Sequence, residues 1–375
     1  MSDRLPVETF PPGEFIRDEI EARGWTQEVL AAVIGKSLKL VNEVVVGKRA
    51  ITPETARALG EAFGTSAELW MNLEGAYQLS RTRPADNAIS RRANLYGRWP
   101  VKDMVKRGWI EASDNPEVLE KRLLGFFEME NLEEEPKAFP HAARKTSYES
   151  VTPAQLVWLF RAKKLASAVS VSTFSEARLR DCFERLRSLL HSPEETRHVA
   201  RTLAEAGIRF VVLEQLPGTK TDGAMFWLDA KSPAIVLSMR YDRIDNFWHA
   251  ILHELIHLKY KDAKFIVDEG ILDAKLPGAP ELPEIERRAQ EEAAAFLLNQ
   301  AELDDFIARL HPLYSKERIA RFSKSVNVHP GLVVGQLQHR GRIPFSHSRE
   351  MLVKVRTIVT QSTLTDGWGH APPGL

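Results

Sequence analysis

Short amphipathic segments separated by glycines fill the first 80 residues, and their apolar positions recur three and four apart. Pro11-Pro12-Gly13 opens a first helix that runs to about Arg23, and Thr26 is placed to cap a second, "QEVLAAVIG". After Gly35, Ser37 caps a third helix, "LKLVNEVVV". Thr52-Pro53-Glu54 starts a fourth and "TSAELW" a fifth. Two helices joined by a tight glycine-containing turn, with further helices around them, predict a helix-turn-helix domain over residues 1–80.

The pattern changes twice after this domain. Residues 81–206 begin as an Arg- and Lys-rich linker and continue as amphipathic helices without a chemical motif. From Gly207 onwards "IRFVVLEQL", "AMFWLD" and "AIVLSM" predict strands, and helices follow. The last division, residues 346–375, predicts a helix from Met351 to about Gln361 and a loose tail. The fold class expected is α+β and mainly helical, with a C-terminal domain over 207–345 that contains a small sheet.

One predicted helix carries a candidate metal site. "HAILHELIHLKY" contains His253, Glu254 and His257 in the spacing H-E-x-x-H. Residues four apart share one helical face, so both imidazoles can reach one zinc ion while Glu254 acts as a general base. The opposite side of this helix is apolar, with Phe247, Ile251, Leu255 and Leu258. A surface helix with two incidental histidines would be polar, so the sequence favours a buried helix with a metal site.

A catalytic zinc needs a third protein ligand. The following helix, "EIERRAQEEAAAFLLNQ", offers Glu286, Glu291 and Glu292. Both Glu286 and Glu292 border the predicted buried face, whereas Glu291 points away from its centre. Periodicity alone leaves Glu286 and Glu292 open.

These residues resemble a known family. "FWHAILHELIHL" followed by "EEAAAFLL" is similar to the ImmA/IrrE metallopeptidases, whose H-E-x-x-H helix precedes an E-A-x-x-F-A-x-x-L-L helix. The resemblance spans roughly residues 207–341 and implies a zincin-like fold, a Zn²⁺ cofactor and peptidase activity. It matches Glu292 to the family's ligand glutamate, with His253 and His257 as the other ligands and Glu254 as the catalytic residue. The departures include Ile256, where many members have glycine.

The N-terminal 80 residues resemble HigA-type antitoxins of the Xre helix-turn-helix class. The features that carry this resemblance are the opening P-G-E, "GKRAIT", and W-x-N-L before a tyrosine. It implies DNA binding to an operator through the third helix, and a homodimer. The expected DNA contacts are Gln27, Ser37, Lys39, Asn42, Lys48 and Arg49.

The charge and residue types of the N-terminal domain leave an alternative open. Leu38 and Leu40 are apolar and Glu43 is acidic at positions where polar DNA readers are expected, while Val41 and Val44 face the core. Residues 1–83 contain ten Lys and Arg against twelve Asp and Glu, which predicts weak attraction to phosphates. The domain could instead serve dimerisation or partner binding.

Composition narrows the cellular setting. The 375 residues are 43% hydrophobic and 27% charged with a formal net charge of zero, as in ordinary globular proteins. The single cysteine, Cys182, excludes an intramolecular disulfide and a Cys-rich zinc site. Neither an apolar signal region nor a run long enough to cross a bilayer occurs, so we expect a cytoplasmic protein without membrane contact.

Together these features predict a zinc metalloendopeptidase fused to a DNA-binding regulatory domain. Glu254 would take a proton from water and return it to the leaving amine, and Arg240, Tyr241 and Tyr260 are candidate oxyanion stabilisers because they lie nearby in sequence. The family resemblance implies a protein substrate, a repressor or antitoxin-like partner whose cleavage controls transcription. The alternative is a HigA-like repressor whose zinc-site domain senses metal or binds a partner without proteolysis.

Overall fold

The computed structural model describes residues 9–82, 87–134, 136, 151–262, 265–269 and 282–368, without the side chains of 265 and 269. The chain divides into two compact units, residues 1–91 and 92–375. It is mainly helical with one small sheet, as predicted. Among the described residues, no helix combines the length and apolar character needed to cross a membrane.

The described residues of the N-terminal unit form five helices around their own apolar core, before a sixth helix begins at Ala88, near the end of the unit. They are α1 (Pro12–Ala22), α2 (Gln27–Val33), α3 (Leu38–Val45), α4 (Pro53–Phe63) and α5 (Ala67–Arg81). The predicted caps are confirmed, because the side chains of Thr26, Ser37 and Thr52 each accept a backbone N–H three residues further on. At Gly13 a Cβ atom would lie 2.1 Å from the carbonyl oxygen of Val45, so glycine is required where α1 crosses α3.

The second unit is built on a four-stranded mixed sheet. Its strands are β1 (Arg209–Val212), β2 (Thr221–Trp227), β3 (Pro233–Leu237) and β4 (Phe265–Glu269), in the order β1-β3-β2-β4. β1 is parallel to β3, whereas β2 is antiparallel to both β3 and β4. The predicted strands β1 to β3 are confirmed, and β4 is an edge strand that the sequence did not predict.

Helices cover both faces of this sheet. The helices of the unit are α6 (Ala88–Arg98, which begins just before it), α7 (Val101–Lys106), α8 (Pro116–Phe127), α9 (Pro153–Ser167), α10 (Glu176–Ser188), α11 (Val199–Glu205), α12 (Ile244–Tyr260), α13 (Glu284–Leu297), α14 (Gln300–Leu310), α15 (Lys316–Ser325), α16 (Pro330–His339) and α17 (Arg356–Thr360), with 3₁₀ turns at Pro193–His198 and Arg349–Met351. Because successive side chains of a strand point to opposite faces, each face of the sheet contributes its side chains to a different hydrophobic core.

The alternation along the strands shows how the layers form. Phe210 and Ile235 join the core that contains α12, whereas Val211 and Val236 join the core that contains α6 to α9. The buried Trp158 of α9 also donates from its indole Nε1 to the Leu213 carbonyl oxygen at 3.0 Å. The predicted boundary at residue 206 therefore needs correction, since much of the predicted middle region, 81–206, is the second helical layer of the same unit.

Two further expectations about segments differ from the structure. The predicted linker after residue 80 is helical in α6 and α7, apart from residues 83–86, which lie outside the described part of the chain. The predicted helix from 351 to 361 is shortened to α17. Residues 353–355, before α17, are not helical, because the Val353 carbonyl accepts the N–H of Ile244, and Asp242 Oδ1 accepts the N–H groups of Val355 and Arg356.

The predicted loose tail also packs in part. Leu364 bridges to β1, with its carbonyl accepting the Val212 N–H at 3.1 Å. Asp366 accepts the indole N–H of Trp109 at 3.0 Å. The start of the tail is therefore held by the unit, and residues 369–375 lie outside the described residues.

Candidate functional site

Helix α12 places the H-E-x-x-H residues inside the second unit. Phe247, Ile251, Leu255 and Leu258 are buried in its core, as the apolar pattern predicts. His253, Glu254 and His257 are also buried, each with 0% of its surface exposed. Polar side chains at this depth are costly unless they have partners or bind a ligand, so their environment decides what they do.

The two histidines meet a carboxylate at one point. His253 Nε2 lies 3.0 Å from His257 Nε2, and Glu286 Oε2 lies 3.2 Å from the first nitrogen and 3.5 Å from the second. Glu286 belongs to α13, which packs against α12. These three atoms face one another closely enough to surround one small cation.

The expected third ligand, Glu292, is not in this group. Its carboxylate accepts bonds from Lys259 Nζ at 2.8 Å and the Tyr260 hydroxyl at 2.5 Å, and its side chain is 32% exposed against 13% for Glu286. The buried face of α13 runs through Ala289, Ala293 and Leu297, and Glu286 continues that line by one turn. The structure therefore places Glu286, and not Glu292, beside the two histidines, because α13 turns Glu292 toward the end of α12.

A second carboxylate, Asp268, also reaches the cluster. Its Oδ2 lies 3.2 Å from His253 Nε2, and the residue is 3% exposed. One nitrogen or carboxylate oxygen from each of His253, His257, Asp268 and Glu286 lies within 4.8 Å of the others. Asp268 is not among the predicted ligands because β4 is not among the predicted strands, although the apolar run "FIV" before this aspartate indicates a buried strand.

An outer pair of charged residues supports His257. Asp262 Oδ2 lies 2.9 Å from His257 Nδ1, the ring nitrogen that points away from the cluster. Arg288, also on α13, bonds to the other Asp262 oxygen. A carboxylate on the far nitrogen fixes the orientation and tautomer of a metal-binding imidazole.

Glu254 lies beside the cluster with its carboxylate free. Neither of its oxygens has a hydrogen-bond partner among the residues that the structure describes. A Cβ atom at Gly223 of β2 would lie 2.4 Å from Glu254 Oε1, so glycine leaves the room that this carboxylate occupies. Burial, followed by the negative charge of Asp268, raises the pKa of Glu254 well above its usual value.

The remaining pKa shifts show that the cluster attracts positive charge. Burial opposes the imidazolium form of His253, but Asp268 and Glu286 outweigh it and raise the pKa of His253 to about 10. Burial alone would raise the pKa of Glu286, but its bonds to His253 and His257 lower that pKa to about 2. The carboxylates therefore stabilise a cation at this point, whether a proton or a metal ion.

The three expected oxyanion stabilisers have other contacts. Arg240 is paired with Asp222 through bonds of 2.8 and 3.1 Å, and its guanidinium lies over the Tyr241 ring. Tyr241 lines a separate cavity of about 560 Å³ between α12, α13 and α16. Tyr260 donates to Glu292, outside the cluster. The role of these three residues as oxyanion stabilisers stays a prediction.

The N-terminal unit presents a second candidate surface at α2 and α3. Val41 and Val44 are buried, as predicted, and Lys39 is exposed over 85% of its side chain. Asn42 donates to Gln27 Oε1 at 3.3 Å, which joins the two helices at a shallow groove. Leu40, predicted to face outward, is half-buried against the core instead.

The other expected DNA contacts differ in whether their side chains already have a partner within the unit. Ser37 uses its hydroxyl to cap α3. Lys48 is exposed, and Arg49 is paired with Glu43 at 3.4 Å. Lys39, Asn42, Lys48 and Arg49 are exposed on this surface, whereas Gln27 is half-buried, and Lys39 Nζ also lies 3.9 Å from Glu43.

Comparison with known proteins concerns one part of the chain. Residues 16–70 match the sequence model of the Helix-turn-helix family. The chain is 34% identical over 80 residues to Virulence-associated protein I of Dichelobacter nodosus, which covers 21% of this chain and 74% of that protein. It is 28% identical over 69 residues to the HTH-type transcriptional regulator YddM of Escherichia coli, covering 18% of this chain and 73% of that one.

Similar solved structures are also small proteins. The antitoxin HigA of Pseudomonas aeruginosa, solved with the higBA promoter, is 36% identical, with a TM-score of 0.19 and coverage of 20% of this chain and 80% of that one. An addiction module antidote protein of the HigA family from Coxiella burnetii is 26% identical, with a TM-score of 0.19 and coverage of 21% and 99%. Through the segment 16–70, the chain belongs to the helix-turn-helix family.

Proposed function

We propose that this protein is a metal-dependent endopeptidase of the ImmA/IrrE kind, joined to a DNA-binding regulatory unit. The observation that carries the proposal is the buried group of His253, His257 and Glu286, with the unpartnered carboxylate of Glu254 beside it. Two histidines and one carboxylate are the protein ligands of many catalytic zinc sites, and a neighbouring glutamate is their usual general base.

The residues present fit a divalent metal ion. Glu254, Asp268 and Glu286 bring three carboxylates to one place, and both Glu254 oxygens have no hydrogen-bond partner within the described ranges. Negative charges that are buried close together repel one another, so a dication among these carboxylates would offset their charge. A zinc ion held at this point supplies Lewis acidity and lowers the pKa of the water it binds.

The roles of the chain's own residues follow from their positions. His253, His257 and Glu286 would hold the metal, and Asp262 keeps the His257 ring in place. Glu254 accepts a proton from the attacking water and returns it to the amine that leaves the cleaved peptide bond.

The substrate class proposed is another protein, a repressor or antitoxin-like partner whose cleavage changes transcription. The N-terminal unit supports a substrate of this class, because its helix-turn-helix segment is typical of proteins that regulate transcription. A homodimer, the expected state of a HigA-like unit, stays a prediction.

Removal of metal is expected to stop cleavage reversibly. Cell extract incubated with the purified full chain should gain new protein N-termini, detected by mass spectrometry, and a chelator should suppress them. Zinc added back in slight excess should restore these N-termini, because the ligand residues can bind the metal again once it is available. Cleavage that persists unchanged in chelator would contradict a metal-dependent peptidase.

DNA binding is the second part of the proposal, and the exposed polar groups of α2 and α3 support it. Replacing Asn42 with Ala should weaken operator binding by about 1–3 kcal/mol if it contacts a base. Lys39→Ala should make the slope of log affinity against log salt concentration less steep by about one. Fluorescence anisotropy with a labelled DNA fragment from upstream of the protein's own gene measures both quantities.

A matched control for these variants lies on α4. Arg57→Ala removes one exposed positive charge outside the α2–α3 pair and should leave affinity nearly unchanged. Equal losses in Lys39→Ala and Arg57→Ala, with Asn42→Ala unchanged, would indicate only general electrostatic attraction. Unchanged binding in Asn42→Ala and Lys39→Ala would favour a dimerisation or partner-binding role for the unit.

One observation favours the rival function, a metal-dependent repressor without proteolysis. The ligand atoms are deeply buried, with His253 and His257 at 0% exposure, and a polypeptide must reach them to be cut. A sensor needs only the metal ion to enter. The presence or absence of Glu254-dependent cleavage separates the two functions.

A further inference from the structure

Two aspartates contact the cluster histidines, but on different ring nitrogens. Asp262 meets His257 at Nδ1, at 2.9 Å. Asp268 meets His253 at Nε2, at 3.2 Å. The difference decides what each carboxylate can do, because only one nitrogen of each ring faces the centre of the cluster.

The Nε2 atoms define that centre. They lie 3.0 Å apart, and Glu286 Oε2 approaches both of them. Asp262 is therefore outside the cluster, where carboxylates orient metal-binding histidines. Asp268 is inside it, on the same nitrogen that Glu286 contacts.

We propose that Asp268 is a fourth protein ligand of the metal. The inference rests on the proposed metal site and adds a carboxylate to it. Asp268 Oδ2 is buried and lies 3.2 Å from His253 Nε2, the same atom that Glu286 Oε2 approaches at 3.2 Å, so one cation among these atoms would contact both carboxylates.

The sheet holds Asp268 in this position. On edge strand β4 it pairs across the ladder with Gly223 of β2, the residue that makes room for Glu254. A strand residue fixed by a ladder loses little freedom when it binds a metal. The same pairing brings the carboxylates of Asp268 and Glu254 to one side of the cluster.

A fourth ligand changes what the site can accept. Four protein ligands complete the usual tetrahedral shell of zinc, whereas a catalytic zinc keeps one position open. For water to bind, either the shell must expand or Asp268 must leave it. Two imidazoles and two carboxylates also suit other divalent ions of the first transition series, including Co²⁺.

Cobalt substitution tests the proposal, because the visible spectrum of Co²⁺ depends on the number and kind of its ligands. The full chain is freed of metal, loaded with Co²⁺ and compared with the Asp268→Ala and Asp268→Asn variants. Both should shift the Co²⁺ bands and weaken Zn²⁺ binding about tenfold or more in competition with a chromophoric chelator. Asp262→Asn is the matched control, which should weaken Zn²⁺ binding without shifting the bands.

The outcomes are distinguishable from those of the metal site itself. If wild-type protein binds Co²⁺, and both Asp268 variants have the same Co²⁺ spectrum and the same Zn²⁺ affinity as wild type, Asp268 is not a ligand. The metal site itself then stands. If wild type and a His253→Ala variant both fail to bind Co²⁺, the metal site fails and Asp268 with it. Circular dichroism of each metal-free variant confirms that it is folded.

Discussion

Glu254→Gln is expected to remove proteolysis while leaving the metal bound. Glutamine keeps the shape of the side chain but cannot accept the proton that water must lose. Positioned proton transfer contributes about 10²- to 10⁴-fold to enzymatic rates, so cleavage should fall by that order. The new N-termini that the wild-type chain generates in extract should be absent or strongly reduced, and zinc content should match that of wild type.

The structure also predicts how this variant behaves as a protein. Glu254 is buried and its carboxylate has no hydrogen-bond partner within the described ranges, so glutamine, which has nearly the same shape and no charge, fits the same space without the cost of burying an ionised group. We expect Glu254→Gln to fold and to be at least as stable as wild type in thermal unfolding. If Glu254→Gln regulates transcription as wild type does, and the protein N-termini in extract are the same for both, the peptidase function is ruled out and the sensor is favoured.

Glu286→Gln and Glu292→Gln are expected to differ sharply in metal binding. Glu286 has its Oε2 at the two histidine nitrogens, so Glu286→Gln should lose more than the roughly 10- to 100-fold in affinity that an outer-shell change costs. Glu292 is bonded to Lys259 and Tyr260, and Glu292→Gln should keep wild-type affinity. Zinc competition with a chromophoric chelator measures both.

This pair is a matched control, since both changes remove one carboxylate from the same helix. The Glu292 salt bridge is partly exposed, so its loss should cost about 1 kcal/mol or less in stability. If Glu292→Gln lost the metal and Glu286→Gln retained it, the arrangement of ligands described for α13 would be contradicted.

Local signals made much of the fold predictable. The caps at Thr26, Ser37 and Thr52, together with the glycines that follow the helices, defined the N-terminal helices to within a few residues. The H-E-x-x-H spacing and the apolar residues on the other side of α12 predicted a buried helix with its histidines on one face. These features depend on residues within a few positions of one another, which is why a single sequence reveals them.

The errors concern contacts between distant parts of the chain. Glu286 and Glu292 both border the buried face of α13, and only packing against α12 decides which of them meets His253. Asp268 depends on a short edge strand whose partner, β2, lies about 40 residues earlier, so it has little local signal. The second helical layer could not be assigned because an amphipathic helix shows that it is buried without showing which surface buries it.

The most direct test of the account is the metal content of the full chain, purified without added chelator. Inductively coupled plasma mass spectrometry of wild type should find about one zinc or similar divalent ion per chain, and His253→Ala purified in parallel should have almost none. Equal metal content in the two proteins, or none in wild type after incubation with zinc, would contradict a metal site at His253, His257 and Glu286.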